Sequence, residues 1–153
     1  MRRLAALTLT AAALLGGCTS FGPPDPVFTW RRDDADDAPR LLLVAPYAPA
    51  PRMTLSCQPG SGAVDLTLVG RRADGAVIEL HAGEVWNRYP GAGVAAHGPD
   101  APLEIQTRLN AADPVLAHFA DAGELTVVQG EVVIRTTGAF AQAHDFLALC
   151  RAG

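Results

Sequence analysis

The chain is 153 residues long, 49% hydrophobic and 18% charged, with 12 basic residues against 16 acidic ones and a formal charge of −4. That length admits one domain with a real core. The basic residues are all arginine, and the net acidic balance argues against a nucleic-acid surface or an electrostatic hold on anionic lipid.

Arg2 and Arg3 give a positive start, residues 4–15 are apolar apart from Thr8 and Thr10, and Gly16-Gly17 put small residues ahead of Cys18. These are the marks of a secretory signal; the run falls short of the about 20 apolar residues that span a bilayer comfortably. Leu15-Gly16-Gly17-Cys18 resembles the bacterial lipobox. The resemblance implies cleavage before Cys18, acylation of Cys18 and attachment to the membrane through it. By the same resemblance, Thr19 in the next position implies the outer membrane, with the domain facing the periplasm. Residues 1–17 are therefore expected to be a signal peptide, 18–26 a proline-rich tether and 27–153 a single β-rich domain. Removing Arg2 and Arg3 with the signal takes the formal charge from −4 to −6. With Cys18 taken, Cys57 and Cys150 remain; in an exported chain such a pair reads as one disulfide, two buried free thiols being the alternative.

Residues 27–32 suit a first strand with Phe28 and Trp30 on one side. The acidic run 33–37, followed by Pro39, reads as a solvated turn because calcium loops space their ligands and end in a distant Glu. Residues 41–44 form a short apolar strand, and 45–51, with Pro46, Pro49 and Pro51, is a connection. Met53, Leu55 and Cys57 alternate with polar residues, which turns Cys57 inward. Gln58 to Gly62 is a turn, and its Gly60-Ser61-Gly62 lacks the flanks of a phosphate loop or nucleophile elbow. Val64, Leu66 and Leu68 mark the next strand. Asp74-Gly75 predicts a hairpin that brings Ala76, Ile78 and Leu80 to the core and leaves Glu79 and His81 outside. Residues 84–88 pair back after Ala82-Gly83, with Trp86 on one face. Residues 89–102 are rich in Gly, Ala and Pro and read as the longest loop, so Tyr89, His97 and Asp100 are the candidate partner contacts.

Leu103, Ile105, Thr107 and Leu109 alternate as a strand. Asp113-Pro114 starts a helix with a cap and a first-turn proline, Val115, Leu116, Phe119 and Ala122 sharing its apolar face and Gly123 ending it. Leu125 and Val127 lie on a strand that turns at Gln129-Gly130 into Val132 and Ile134. A last helix over about 139–150 places Phe140, Ala143, Phe146, Leu147 and Cys150 on one side. About nine short strands and two helices predict a mainly β, α+β domain: an antiparallel β-sandwich or open barrel with two packed helices.

Catalytic signals are weak. His81, His97, His118 and His144 are scattered, with no pair at helical ligand spacing, so neither a metal centre nor a cofactor is expected. Glu79 with His81, and His118 with Asp121, are pairs of the kind common on surfaces, and Ser56 and Ser61 have no recognisable base beside them. The segments Leu55-Ser56-Cys57-Gln58-Pro59-Gly60-Ser61-Gly62-Ala63-Val64, Asp113-Pro114-Val115-Leu116-Ala117-His118-Phe119 and Phe146-Leu147-Ala148-Leu149-Cys150 resemble small lipoproteins and exported proteins of alphaproteobacteria, over about residues 27–150. That resemblance brings no activity with it. The strand ending in Cys57, its Gly/Ser turn and the alternating strands beyond are similar to membrane-bound inhibitors of c-type lysozyme. Those carry a Ser-Gly-x-x-Tyr-like inhibitory segment, and Ala82-Gly83-Glu84-Val85-Trp86 stands here instead. The expectation is a non-enzymatic, lipid-anchored envelope protein that binds or scaffolds an envelope protein partner. An inhibitor or ligand-binding protein of the lysozyme-inhibitor kind is the alternative, and an envelope hydrolase ranks last.

Overall fold

A computed structural model describes residues 27–34, 38–48, 50–70, 77–95 and 103–151. Along them run β1 (Thr29–Asp33), β2 (Arg40–Val44), β3 (Met53–Ser56), β4 (Ala63–Gly70), β5 (Val77–Ala82), β6 (Val85–Pro90), β7 (Ala92–Ala95), β8 (Leu103–Asn110), α1 (Pro114–Ala122), β9 (Leu125–Gln129), β10 (Val132–Thr136) and α2 (Phe140–Arg151). The strands form two antiparallel sheets, one of six in the order β1-β2-β3-β4-β8-β7 and one of four in the order β10-β9-β5-β6. Neither closes on itself; the mainly β, α+β domain expected from the sequence is present, and its two open sheets with two helices are consistent with a β-sandwich.

Period-two alternation builds the core. Met53, Leu55, Val64, Leu66, Leu68, Ile78, Leu80, Ile105 and Val127 are all buried in one cluster with the inner faces of both helices. The sheets meet at a corner on one side: only Gly91 separates β6, in the smaller sheet, from β7, in the larger, and Thr107 Oγ1 donates to the Pro90 carbonyl across the bend (2.9 Å). On the far side α2 lies on β1 and β2, and the Trp30 ring meets Phe119 of α1 at 5.1 Å.

Four expectations change. The stretch after Tyr89 is not one long loop, because β6 extends to Pro90 and β7 pairs with β8 through Ala92↔Gln106 to Ala95↔Leu103; Tyr89 itself is buried, while His97 and Asp100 lie outside the described residues. Asp74-Gly75 also lies outside them; the strands on either side, β4 and β5, belong to different sheets and are not paired with each other as the expected hairpin requires. The tight turns are 83–84 and 130–131, where Gly83 (φ +60°) and Gly130 (φ +58°) hold the first central position, as a type II′ hairpin requires. On α1, Ala122 is exposed and Ala120 takes the inner place; on α2, Phe140 is 58% exposed and Ala139 is buried instead. Both displaced residues sit at helix ends where α1 meets α2, past the edge of the apolar face.

The expected helix boundaries hold. Asp113 caps α1 by accepting from the Val115 N–H at 2.9 Å, and Gly123 ends it in the left-handed region, its N–H donating to the Phe119 carbonyl. Cys57 and Cys150 form a disulfide across 93 positions of sequence.

Candidate functional site

A groove of about 600 Å³ runs along β10. One wall is β10 itself, with Val132 and Ile134; the opposite wall is Phe28, just ahead of β1, and the connection over residues 45–52. Val69 at the end of β4 and Glu104 at the start of β8 complete it. The wall at 45–52 cannot become a strand because its prolines interrupt the run of ladder donors. Its turn is fixed instead by the Ala48 N–H donating to the Ala45 carbonyl (3.2 Å), with Pro46 and Tyr47 at the centre.

Tyr47 occupies φ +63° and is fully exposed. It is the one non-glycine residue with positive φ among those described, and it sits where a type II turn usually places glycine. Backbone strain of this kind, on the order of 1–3 kcal/mol, tends to persist at ligand-contacting positions. Here it presents an aromatic ring on the segment that walls the groove.

Two of the residues that line the groove carry positive charge. Arg52 and Arg135 both line it, and neither forms an ion pair among the described residues. Other arginines are engaged: Arg32 with Asp34 (2.8 Å), Arg88 with Glu79 (2.8 Å) and Arg108 with Asp65 (2.7 Å), while Arg151 donates to the Ala111 carbonyl.

A second cluster lies on the outer face of the smaller sheet. His81 and Trp86 are directly opposed on β5 and β6 and stack at 5.8 Å; Arg88 lies 5.6 Å from the Trp86 ring centre, and Glu79 reaches both Arg88 and, at 3.5 Å, His81. These groups satisfy one another as cross-strand pairs. Of the other described histidines, His118 is exposed on α1 and His144 stands 3.7 Å from Asp145 on α2. Among the described residues no group of three or more His, Cys, Asp or Glu is placed to hold a metal ion.

Tyr89, expected at a partner loop, is inside the domain. Burial, and after it the neighbouring Asp113 carboxylate, push its hydroxyl well above the ordinary tyrosine value. The groove was not foreseen from the sequence. It joins residues 45–52 to residues 132–135, and the only local signs of it are a proline-rich wall and a terminal apolar strand without a charge ahead of Arg135. Compared with known proteins, the chain matches no family model, no curated protein and no solved structure.

Proposed function

We propose that this chain is a lipid-anchored binding module of the cell envelope, held at the outer membrane by acylated Cys18 and receiving its partner in the groove along β10. The groove carries the reading. It is mostly apolar, within the size range of ligand sites, and lined by Arg52 and Arg135, neither of which forms an ion pair among the described residues, while the exposed Tyr47, at φ +63°, stands on the segment that walls it. The signal-like residues 1–17 and the lipobox resemblance at Cys18 support the location. Among the described residues no helix is long and apolar enough to cross a membrane, so the attachment proposed is the lipid. Each buried methylene of an acyl chain contributes about 0.8 kcal/mol, and two chains make the attachment stable.

Fatty-acid labelling combined with crosslinking in intact cells tests both halves. Labelled fatty acid is expected to mark the wild type and spare Cys18→Ala. A photoreactive residue at position 48, on the groove wall, is expected to give adducts of discrete mass that fade when the protein is released by Cys18→Ala. Equal labelling of both proteins overturns the anchor; a groove position that yields no adduct overturns the binding module.

A further inference from the structure

Resting on the reading of the groove as a binding site, we infer that its ligand is an extended peptide segment, apolar at alternate positions and bearing acidic groups, which adds to the free edge of β10 as a fifth strand of the smaller sheet.

The backbone of β10 is prepared for this. β10 pairs with β9 through Val132↔Gln129 to Thr136↔Leu125 and is the terminal strand of its sheet. A two-residue hairpin closes on a hydrogen-bonded pair, here Gln129 and Val132, and bonded pairs then alternate along an antiparallel ladder. Val132, Ile134 and Thr136 therefore turn their backbone groups towards β9. The N–H and C=O of Val133 and Arg135 point the other way, off the free edge of the strand whose residues 132–135 line the groove. The groove begins where the four-stranded sheet stops, which is the place of a further strand.

The other edges are better defended than this one, whose single charge is Arg135. Natural edge strands discourage pairing with charge, proline, bulges or brevity. β1 carries Arg31, Arg32 and Asp33, β6 ends in Pro90 and β7 is four residues long. β10 reads Val-Val-Ile-Arg-Thr in an unbroken register, with β-branched residues of high strand propensity and Val133 44% exposed.

The occupant follows from the walls. A groove closed on one side by residues 45–52 admits a single extended chain, whereas a second copy would bring its own wall with its β10. The chain's own tether, Thr19-Ser20-Phe21-Gly22-Pro23-Pro24-Asp25-Pro26, has three prolines that cannot donate to a ladder. An external peptide remains. Arg52 and Arg135 against one Glu104 make the groove net positive on a chain of formal charge −4, which selects for acidic side chains or a terminal carboxylate. β10 has five residues, so main-chain bonds would supply affinity and alternate side chains specificity over a segment of similar length.

The test uses the full acylated chain in lipid nanodiscs and a fluorescein-labelled heptapeptide, Glu-Val-Thr-Val-Thr-Val-Glu. Saturable binding is expected, with slowed hydrogen exchange in residues 131–137. N-methylation of alternate peptide nitrogens should weaken binding by about tenfold or more, the effect of losing one or two backbone hydrogen bonds. Val133→Pro removes an outward N–H and no ladder bond and should do the same, and Arg135→Glu should weaken binding further as salt is lowered. Several results overturn the inference. One is an N-methylated peptide that binds as well as the parent. Another is fluorescent dodecanoate filling the groove while the peptide fails, which replaces the ligand class and leaves the binding module standing. Exchange at 131–137 that slows with protein concentration alone would assign the edge to a second copy. Failure of both probes removes the peptide, and the adducts from position 48 then decide separately whether the module reading survives.

Discussion

Trp30 Nε1, Tyr89 Oη and Gln129 Oε1 are buried without a hydrogen-bond partner among the described residues. Such atoms carry a desolvation cost on the order of 1–3 kcal/mol each, and two of them mark where apolar packing outweighed it. Trp30 sets its ring against Phe119; Gln129 lies over Gly70, where an added Cβ would stand 3.1 Å from its Oε1. For Tyr89 the consequence is measurable. Burial first, and Asp113 second, raise its pKa above the ordinary 10.0, so the folded state holds the phenolic proton more tightly than the unfolded chain does. Its contribution is constant below about pH 10 and is lost as pH rises through the raised value. Tyr89→Phe is therefore expected to leave stability at pH 7 unchanged or higher by up to about 1 kcal/mol, and to make the loss of stability above pH 10 shallower. Denaturant midpoints from pH 7 to 11 check this; a variant as alkali-sensitive as the wild type would contradict it.

Gly123 is where the two helices depend on one residue. It ends α1 at φ +69°, and an added Cβ would lie 2.7 Å from the Phe140 backbone nitrogen at the start of α2. Its carbonyl also accepts from the Ala139 N–H (3.1 Å). Gly83 offers a comparison, with φ +60° and nothing within 4 Å of an added Cβ. Gly83→Ala should cost only the conformational part, about 1 kcal/mol, and Gly123→Ala at least about 2 kcal/mol because the helix junction must also open. Equal shifts in urea midpoint would remove the close approach from the argument. The end of α1 was legible because Gly after an apolar helical face is a local signal, as was Asp113-Pro114 at its start. Strands with strict alternation, such as Val64-Leu66-Leu68, were legible for the same reason. Which sheet a strand joins is not local: Asp74-Gly75 has hairpin chemistry, yet β4 and β5 find partners in different sheets. β7, Ala-Gly-Val-Ala, has too little side chain to signal a strand and is one because β8 offers it an edge. The groove escaped for both reasons, being built by segments about 80 positions apart whose meeting only the pairing order determines.

Across the whole molecule, the end of the chain is fastened back to its first sheet at one place. Cys57 follows β3 directly and Cys150 lies in the last turn of α2, joined across 93 positions. Around that bridge the Gly60 and Gly62 N–H groups donate to the Leu149 and Cys150 carbonyls (3.0 Å each), supplying the partners that a helix C-terminus lacks internally. Arg151 donates to the Ala111 carbonyl (2.7 Å), and the Ala111 N–H to the Gly62 carbonyl (2.9 Å). The Gly60-Ser61-Gly62 turn thus acts as a cap for a helix distant in sequence, and the disulfide holds the cap in place. Loop entropy over this span assigns the bridge about 4–5 kcal/mol, an upper figure because reduced chains keep residual structure. Replacing Cys57 and Cys150 together by Ala should lower the melting temperature by about 10–20 °C for a domain of this size. The order of opening is the sharper observable. Phe146 and Leu147 still bury their side chains in the core, so α2 is expected to stay docked most of the time but to open first, its amides exchanging ahead of those of β4 and β8. If the bridge only restrains the unfolded chain, all protected amides should instead lose protection together. Exchange measured residue by residue on the variant separates a helix held by its cap from a fold held by its covalent loop.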